Sequence, residues 1–219
     1  MNKITPYNNS RDMMLLDQKE HITREEHEKI LQACVEVYNT KKASAYNQYI
    51  MERNYFFLLC LWNTGARVSD VCQFRVGNID TYKGCITFDV SKTSKKHIVM
   101  LEETFILAFH NYVQKWNIKG YLFTKFKDIN ADVTTQEHIK RRQVNMFIAE
   151  YGEQAGITRN VHPHLYRHGI AVDMLNNGVA IEFISKFLGH SNVQTTANFY
   201  AKITPEICMK FIHDKMRIN

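Results

Sequence analysis

The stretch His162–Tyr200 reads HPHLYRHGIAVDMLNNGVAIEFISKFLGHSNVQTTANFY. It carries His164 and Arg167 three positions apart, then His190, then Tyr200. Residues three apart on a helix share one face, so the first two can act at one point. A guanidinium offers a planar fork of donors to phosphate oxygens, an imidazole can move a proton near neutral pH, and a phenol can be a covalent nucleophile. The ordered set indicates chemistry on a phosphate group.

The histidines of this stretch also have to be weighed as zinc ligands. Only His164 and His168 stand at the i, i+4 spacing of an H-E-x-x-H motif, and no Glu follows His164. His162 and His190 do not complete a ligand pattern of familiar spacing. We therefore expect no metal and no cofactor.

Composition indicates a globular domain and permits an anionic partner. Of the 219 residues, 45% are hydrophobic and 12% aromatic, and only 3 Pro and 9 Gly occur, which argues against a long disordered linker. Lys plus Arg number 28 against 22 Asp plus Glu, and this basic balance permits nucleic acid as a partner without proving it. No apolar run suggests a membrane span or a signal peptide. The five Cys form no C-x-x-C pair, so we expect buried free thiols and a cytoplasmic location.

Hydrophobic periodicity predicts a mainly helical chain. Thr23 and Glu26 form a capping box, and Thr134 and Glu137 form a second one. The apolar segment 45–63 has no polar face, so we expect it to be the central core helix, ended by a left-handed residue at Gly65. The predicted helices span residues 23–38, 45–63, 68–72, 102–117, 134–153, 163–177, 181–188 and about 192–201, with a last one opening at 204.

Two β-rich runs interrupt the helices. Residues 85–90 and 97–101 are rich in β-branched and aromatic side chains, and a polar turn joins them. We expect a hairpin with a third short strand near Ile79. The predicted fold class is α+β, a mainly helical domain with a small three-stranded antiparallel sheet.

Several motifs together resemble the tyrosine recombinases, which include phage integrases, chromosome-dimer resolvases and Cre-like enzymes. H-x-x-R-H, then L-G-H-S, then T-T followed closely by Tyr resembles their C-terminal signature. T-G-A-R-V-S-D-V at 64–71 resembles their first-arginine box, and Y-L-F-T at 121–124 resembles a short hydrophobic segment of the family. The resemblance covers about residues 22–202, and it implies the DNA breaking-rejoining fold.

The resemblance implies a phosphate-binding set. Arg67 and Arg167 would clamp the non-bridging oxygens of a phosphodiester. His164 and His190 would donate hydrogen bonds to it, with His164 able to help remove the proton of the nucleophile. Asp70, an Asp where the family usually has Glu, would orient the first arginine.

The resemblance also implies the nucleophile and the general acid. Tyr200 would attack the phosphorus and form a 3′-phosphotyrosyl link, with no metal and no ATP. Lys92, in the S-K-T form of the hairpin tip, would protonate the departing 5′-oxygen. Lys95 and Lys96 are the reserve candidates for that role and candidates for DNA contact, because hairpin length varies within the family.

Double-stranded DNA is the implied partner. The basic residues Lys140, Arg141 and Arg142 fall together at one place on a predicted helix, where phosphate contacts are plausible beside the usual explanation of a solvated face. A recombinase would be expected to self-associate on DNA as a tetrameric synapse. Integration, excision, inversion and resolution remain equally open as the biological outcome.

The domain organisation departs from the usual family pattern. We expect residues 1–21 to form a short arm and residues 22–219 the catalytic domain, with the usual N-terminal core-binding domain absent, either because the chain is a fragment or because it is a natural catalytic-domain-only recombinase. Gly169 stands where Thr is common, and we expect little cost from it. The final helix could pack in cis or on a neighbouring copy. The alternative functions are a type IB topoisomerase-like enzyme, or a DNA-binding protein of the same fold without turnover.

Overall fold

A computed structural model of the chain describes residues 21–90 and 96–189. Helices dominate these ranges, and one three-stranded antiparallel sheet interrupts them, so the predicted α+β class is confirmed. The elements are α1 (Arg24–Asn39), α2 (Ala45–Thr64), α3 (Val68–Cys72), β1 (Ile79–Asp80), β2 (Cys85–Asp89), β3 (Lys96–Met100), α4 (Glu103–Trp116), α5 (Arg141–Gln154), α6 (Pro163–Asn176) and α7 (Ile181–Phe187), with single 3₁₀ turns at Val76–Asn78 and Phe126–Asp128.

Helix α2 is the centre of the molecule, as its apolar sequence predicts. Its buried residues point to several sides, and α1, α4 and α6 all pack against it. It starts at Ser44, whose side-chain oxygen accepts from the Asn47 N–H at 3.1 Å, and it stops at Gly65, which has a left-handed φ of 56°. Even so, no helix in the described ranges is long and apolar enough to cross a membrane.

Helix α1 begins at the predicted capping box. The Thr23 hydroxyl accepts from the Glu26 N–H at 3.2 Å, and the Glu26 carboxylate accepts from the Thr23 N–H at 3.0 Å. Arg159, in the loop before α6, donates to Glu26 and also to the His21 carbonyl, the latter at 2.7 Å. The entry to α1 is therefore tied to the segment that leads into α6.

The sheet follows the predicted hairpin. Strand β2 lies between β1 and β3, with Ile79 opposite Ile86 and Phe88 opposite His97. Ile86 and Phe88 point to the core, where Phe88 packs against Phe74 with ring centroids 4.9 Å apart. The sheet is thus held against the helices through one apolar face.

The predicted start of a helix at the Thr134 capping box is wrong, because α5 begins at Arg141. Asp132 accepts hydrogen bonds from both the N–H (2.8 Å) and the hydroxyl (2.5 Å) of Thr134, so that hydroxyl serves a turn and caps no helix. Residues 138–139 then run extended beside residues 123–124 and share backbone hydrogen bonds with them. This long-range pairing overrides a local helix signal.

The four thiols of the described ranges lie in the interior, as predicted, and Cys208 lies outside those ranges. Cys34, Cys60, Cys72 and Cys85 are all buried and none forms a disulfide. Burial raises the pKa of Cys34 and of Cys72 to about 12. These side chains serve as small apolar residues of the core rather than as nucleophiles.

Candidate active site

A sharp turn at the end of α2 presents Arg67. The Thr64 hydroxyl donates to the Cys60 carbonyl at 2.6 Å and accepts from the Ala66 N–H at 3.2 Å. Gly65 supplies the left-handed residue that reverses the chain. The Arg67 carbonyl then accepts the first hydrogen bonds of α3, so its side chain projects, half-buried, from a helix N-terminus fixed on both sides.

The same turn fits closely against the end of α7. A Cβ placed on Gly65 would lie 2.9 Å from atoms of both Phe187 and Leu188, and 3.3 Å from Ile170. The left-handed φ therefore favours glycine at 65, and any Cβ there would also have to displace the ends of these side chains. The fit brings the Arg67 turn, α6 and α7 into one junction.

Arg167 bonds to both sides of this junction. Its guanidinium is buried, and it donates to the Gly65 carbonyl and to the Leu188 carbonyl, each at 2.6 Å. These acceptors lie at the end of α2 and at the end of α7. Because two backbone groups hold the planar fork, the guanidinium has a fixed orientation before any ligand arrives.

His164 lies one helical turn before Arg167, in the first turn of α6. Its side chain is exposed, and its Nε2 lies 3.0 Å from Nε2 of His168, one turn further along. Partial burial, followed by the nearby charge of Arg167, lowers the pKa of His164. Burial also lowers the pKa of His168, to about 4. Both shifts favour the neutral imidazole, and in the Nε2–Nε2 contact one ring donates a hydrogen bond to the other.

Residues of α3, α5, α6 and the loop before α6 surround one open cleft of about 470 Å³. Arg67 from the T-G-A-R box and His164 and Arg167 from the H-x-x-R-H box all line it, and so does Arg141 from the start of α5. The cleft thus gathers three guanidinium groups and is suited to an anion. Its lining comprises Ala66, Arg67, Val68, Ser69, Arg141, Asn145, Asn160, His162, Pro163, His164 and Arg167.

Four polar residues of the cleft were missed as site residues: Ser69, Asn145, Asn160 and His162. Asn145 lies one turn after Arg141 on α5, and this i, i+4 spacing was a usable signal. His162 was considered only as a zinc ligand, although it adjoins the first turn of α6. Asn160 reaches the cleft through the loop before α6, and nothing in the sequence marks it.

Several other predicted site residues lie elsewhere or outside the described ranges. Lys96 is exposed at the start of β3 and does not line the cleft, and Lys140 and Arg142 are exposed beside Arg141. Asp70 is buried on α3, where its N–H donates to the Arg67 carbonyl at 2.8 Å. The residues that lie outside the described ranges are Lys92, Lys95, His190 and Tyr200.

Close packing explains why glycine stands at position 169, directly after the last histidine of H-x-x-R-H. A Cβ there would lie 2.2 Å from the carbonyl oxygen of Ile22, a distance that no real contact allows. Ile22 is fully buried, and its N–H donates to the Leu165 carbonyl at 3.1 Å. The glycine lets the chain before α1 cross directly over α6.

A comparison with known protein families finds one match that covers most of the chain. The model described as the phage integrase family matches residues 20–206. The tyrosine recombinase XerA of Thermococcus onnurineus (strain NA1) is 32% identical over 190 residues, which is 84% of this chain and 58% of that protein. XerA of Pyrococcus furiosus is 31% identical over 153 residues, or 69% of this chain and 51% of that protein. The chain spans between half and three-fifths of the length of these relatives.

Solved structures of similar fold include three recombinases or integrases. A crystal structure of XerA recombinase matches with a TM-score of 0.63 and 24% identity, over 84% of this chain and 65% of that one. XerH site-specific recombinase bound to difH substrate gives 0.63 and 20%, over 81% and 49%. The Tn1549 transposon integrase in complex with transposon right end DNA gives 0.64 and 18%, over 90% and 66%. These likenesses establish the fold, a helical domain with a small antiparallel sheet.

Proposed function

Since the chain belongs to the phage integrase family, we propose that it is a tyrosine-type site-specific recombinase that cleaves and rejoins double-stranded DNA. One observation carries the proposal: Arg67, from the start of α3, meets His164 and Arg167, from α6, at a single open cleft although about a hundred positions separate them in the chain. A purely structural protein would have no need to gather two guanidiniums and an imidazole around open space. The cleft has the charge and the access that a phosphodiester requires.

The two arginines stabilise the charge that develops during attack at phosphorus. A guanidinium can donate two hydrogen bonds to the non-bridging oxygens, which gain negative charge in the transition state. Arg167 is already fixed by the Gly65 and Leu188 carbonyls, so it pays little reorganisation when a phosphate arrives. Arg67 completes the clamp from the N-terminus of α3.

The covalent step combines His164 with Tyr200, His190 and Lys92, which lie outside the described residues. The Tyr200 oxygen attacks phosphorus, and its proton passes to His164, which is neutral at pH 7. A 3′-phosphotyrosyl bond forms while the bond from phosphorus to the 5′-oxygen breaks. His190 donates a hydrogen bond to the phosphate, and Lys92 gives the leaving 5′-oxygen its proton. A 5′-hydroxyl from another strand reverses the step, so the bond energy is conserved without ATP.

DNA is held by the basic surface around the cleft. Arg141 extends that surface along α5, with Lys140 and Arg142 exposed beside it. The solved XerH and Tn1549 proteins carry DNA in their complexes, which supports the same partner for this chain. We assign strand exchange to a tetramer assembled on DNA. No observation favours the topoisomerase alternative, since the relatives are named as recombinases and integrases.

Covalent trapping tests the proposal. The chain is mixed with nicked duplexes carrying candidate sites, with chelator present and ATP omitted, and is resolved on a denaturing gel. Tyr200→Phe is the active-site variant. Tyr82→Phe is the matched control, because Tyr82 is 97% exposed in the turn between β1 and β2.

The expected result is a slow protein–DNA band from the wild type and from Tyr82→Phe, but none from Tyr200→Phe. A band that persists in Tyr200→Phe would assign the nucleophile elsewhere. If wild-type protein shifts DNA without any covalent band, turnover is lost and only the binding function of the fold remains. Absence of DNA binding at low salt would refute the recombinase proposal.

A further inference from the structure

Two successive carbonyls at the end of α7 are each held by a side chain from a distant part of the fold. His97, on β3, has its Nε2 2.8 Å from the Phe187 carbonyl oxygen. Arg167, on α6, donates to the next carbonyl, that of Leu188, at 2.6 Å. The last carbonyls of a helix have no partner within the helix, so side chains that bind them fix where the chain leaves it.

The His97 ring also borders the residue that follows. A Cβ placed on Gly189 would have His97 ring atoms as its three nearest neighbours, at 3.4, 3.4 and 3.7 Å. Gly189 has a left-handed φ of 64°, which turns the chain as it leaves α7. On its other side the imidazole packs edge-on against Phe88, with ring centroids 5.4 Å apart. The ring thus fills the space between β2 and the exit of α7.

The chemistry of this contact fixes the proton on His97. A carbonyl oxygen can only accept, so Nε2 must carry the hydrogen. His97 is therefore suited to hold a fixed geometry.

We propose that His97 is a positioning residue for the active site, an inference that rests on the proposed recombinase function. Lys92 stands five residues before His97 in the sequence, and His190 follows Gly189 directly. One imidazole therefore ties β3, which follows the general acid in the sequence, to the end of α7, which precedes the second histidine. Together with Arg167, it anchors the end of α7 from both sides.

Two substitutions separate the hydrogen bond from the ring packing. His97→Phe keeps a flat ring against Phe88 and Gly189 but has no donor. His97→Gln keeps an N–H at a similar reach and loses the ring. His110→Phe is the matched control, because His110 is exposed on α4 and contacts only Gln114 among the hydrogen bonds described.

The first readout is hydrogen exchange of the backbone amides in residues 184–189, which does not depend on activity. His97→Phe should exchange at least about tenfold faster there than wild type, and His97→Gln within about threefold of wild type. The second readout is single-turnover cleavage of a nicked duplex, measured beside the dissociation constant for DNA. His97→Phe should cleave at least about tenfold more slowly while its DNA affinity changes less than about threefold, and His97→Gln should recover most of the rate.

The outcomes distinguish this inference from the proposed function. If wild-type protein forms no covalent complex, the recombinase proposal fails. The hydrogen-exchange measurement then still tests whether His97 holds the end of α7. If His97→Phe exchanges and cleaves like His110→Phe, the positioning role is refuted. If His97→Phe loses DNA affinity in proportion to cleavage, or if His97→Gln recovers nothing, the residue has only a general packing role.

Discussion

Acid should destabilise this fold through one buried histidine, His27 on α1. Its ring is only 5% exposed, stacks on Trp62 with centroids 4.6 Å apart at 7°, and meets the edge of Tyr166. Burial, aided by the charge of Arg24, lowers its pKa from 6.5 to about 3. Below pH 6.5 the His27 imidazole is protonated in the unfolded chain but stays neutral in the folded state. The free energy of unfolding therefore decreases as the pH falls from 6.5 toward 3.

The magnitude follows from those two pKa values. Protonation of His27 in the unfolded chain lowers the free energy of unfolding. The loss is RT times the logarithm of the ratio of the proton-binding polynomials of the unfolded and folded states. It is about 0.2 kcal/mol at pH 7 and about 2 kcal/mol at pH 5. Urea unfolding at both pH values, on wild type and on His27→Phe, measures it. The variant keeps a flat ring against Trp62 but cannot titrate, so its loss between pH 7 and 5 should be smaller by about 2 kcal/mol.

The comparison of the two proteins removes the contribution of other titrating groups. His168, whose pKa is lowered to about 4, adds acid sensitivity of the same sign in both proteins. The difference between wild type and variant therefore reports His27 alone. Equal losses in the two proteins would refute the buried, neutral state of this ring, as would a titration of His27 near its ordinary pKa in an NMR experiment.

Three further predictions concern the active site. The pKa of His164 is lowered from 6.5, so kcat/KM for cleavage should fall only below pH 6.5. Cleavage rates measured as a function of pH check this. A decline that already begins at pH 7.5 would contradict it. Gly65→Ala should destabilise by about 2 to 4 kcal/mol in urea unfolding, since it meets both a left-handed φ and contacts at 2.9 Å. Gly156→Ala, with a left-handed φ but open space, should cost only about 1 to 2 kcal/mol, and equal losses would refute the packing argument. Arg141→Gln should weaken DNA binding similarly for all sequences and lower the salt slope by about 1, in binding assays at several salt concentrations; an unchanged slope would exclude a phosphate contact.

The elements found correctly from sequence are those whose signals are local. The Thr23–Glu26 capping box closes its hydrogen bonds within four residues, and α1 begins there. The apolar run of α2 and the alternating strands of the hairpin likewise depend on neighbours in the chain, and both were predicted within a few residues. The Thr134 signal failed because an extended pairing with residues 123–124 competes with a helix that has no other local support.

In the candidate site, too, some features could be predicted from the sequence and others depend on the tertiary structure. The residue types and spacing of His164 and Arg167 indicated a phosphate-directed group, and the family resemblance of the T-G-A-R box added Arg67, because function requires particular groups that the sequence displays directly. The hydrogen bonds that hold the site could not be predicted from the sequence. Arg167 bonds to the Gly65 carbonyl, 102 positions away, and His97 to the Phe187 carbonyl, 90 positions away. Backbone carbonyls occur at every residue and leave no mark in the sequence. Only the packing of distant helices and strands decides which carbonyl a side chain reaches.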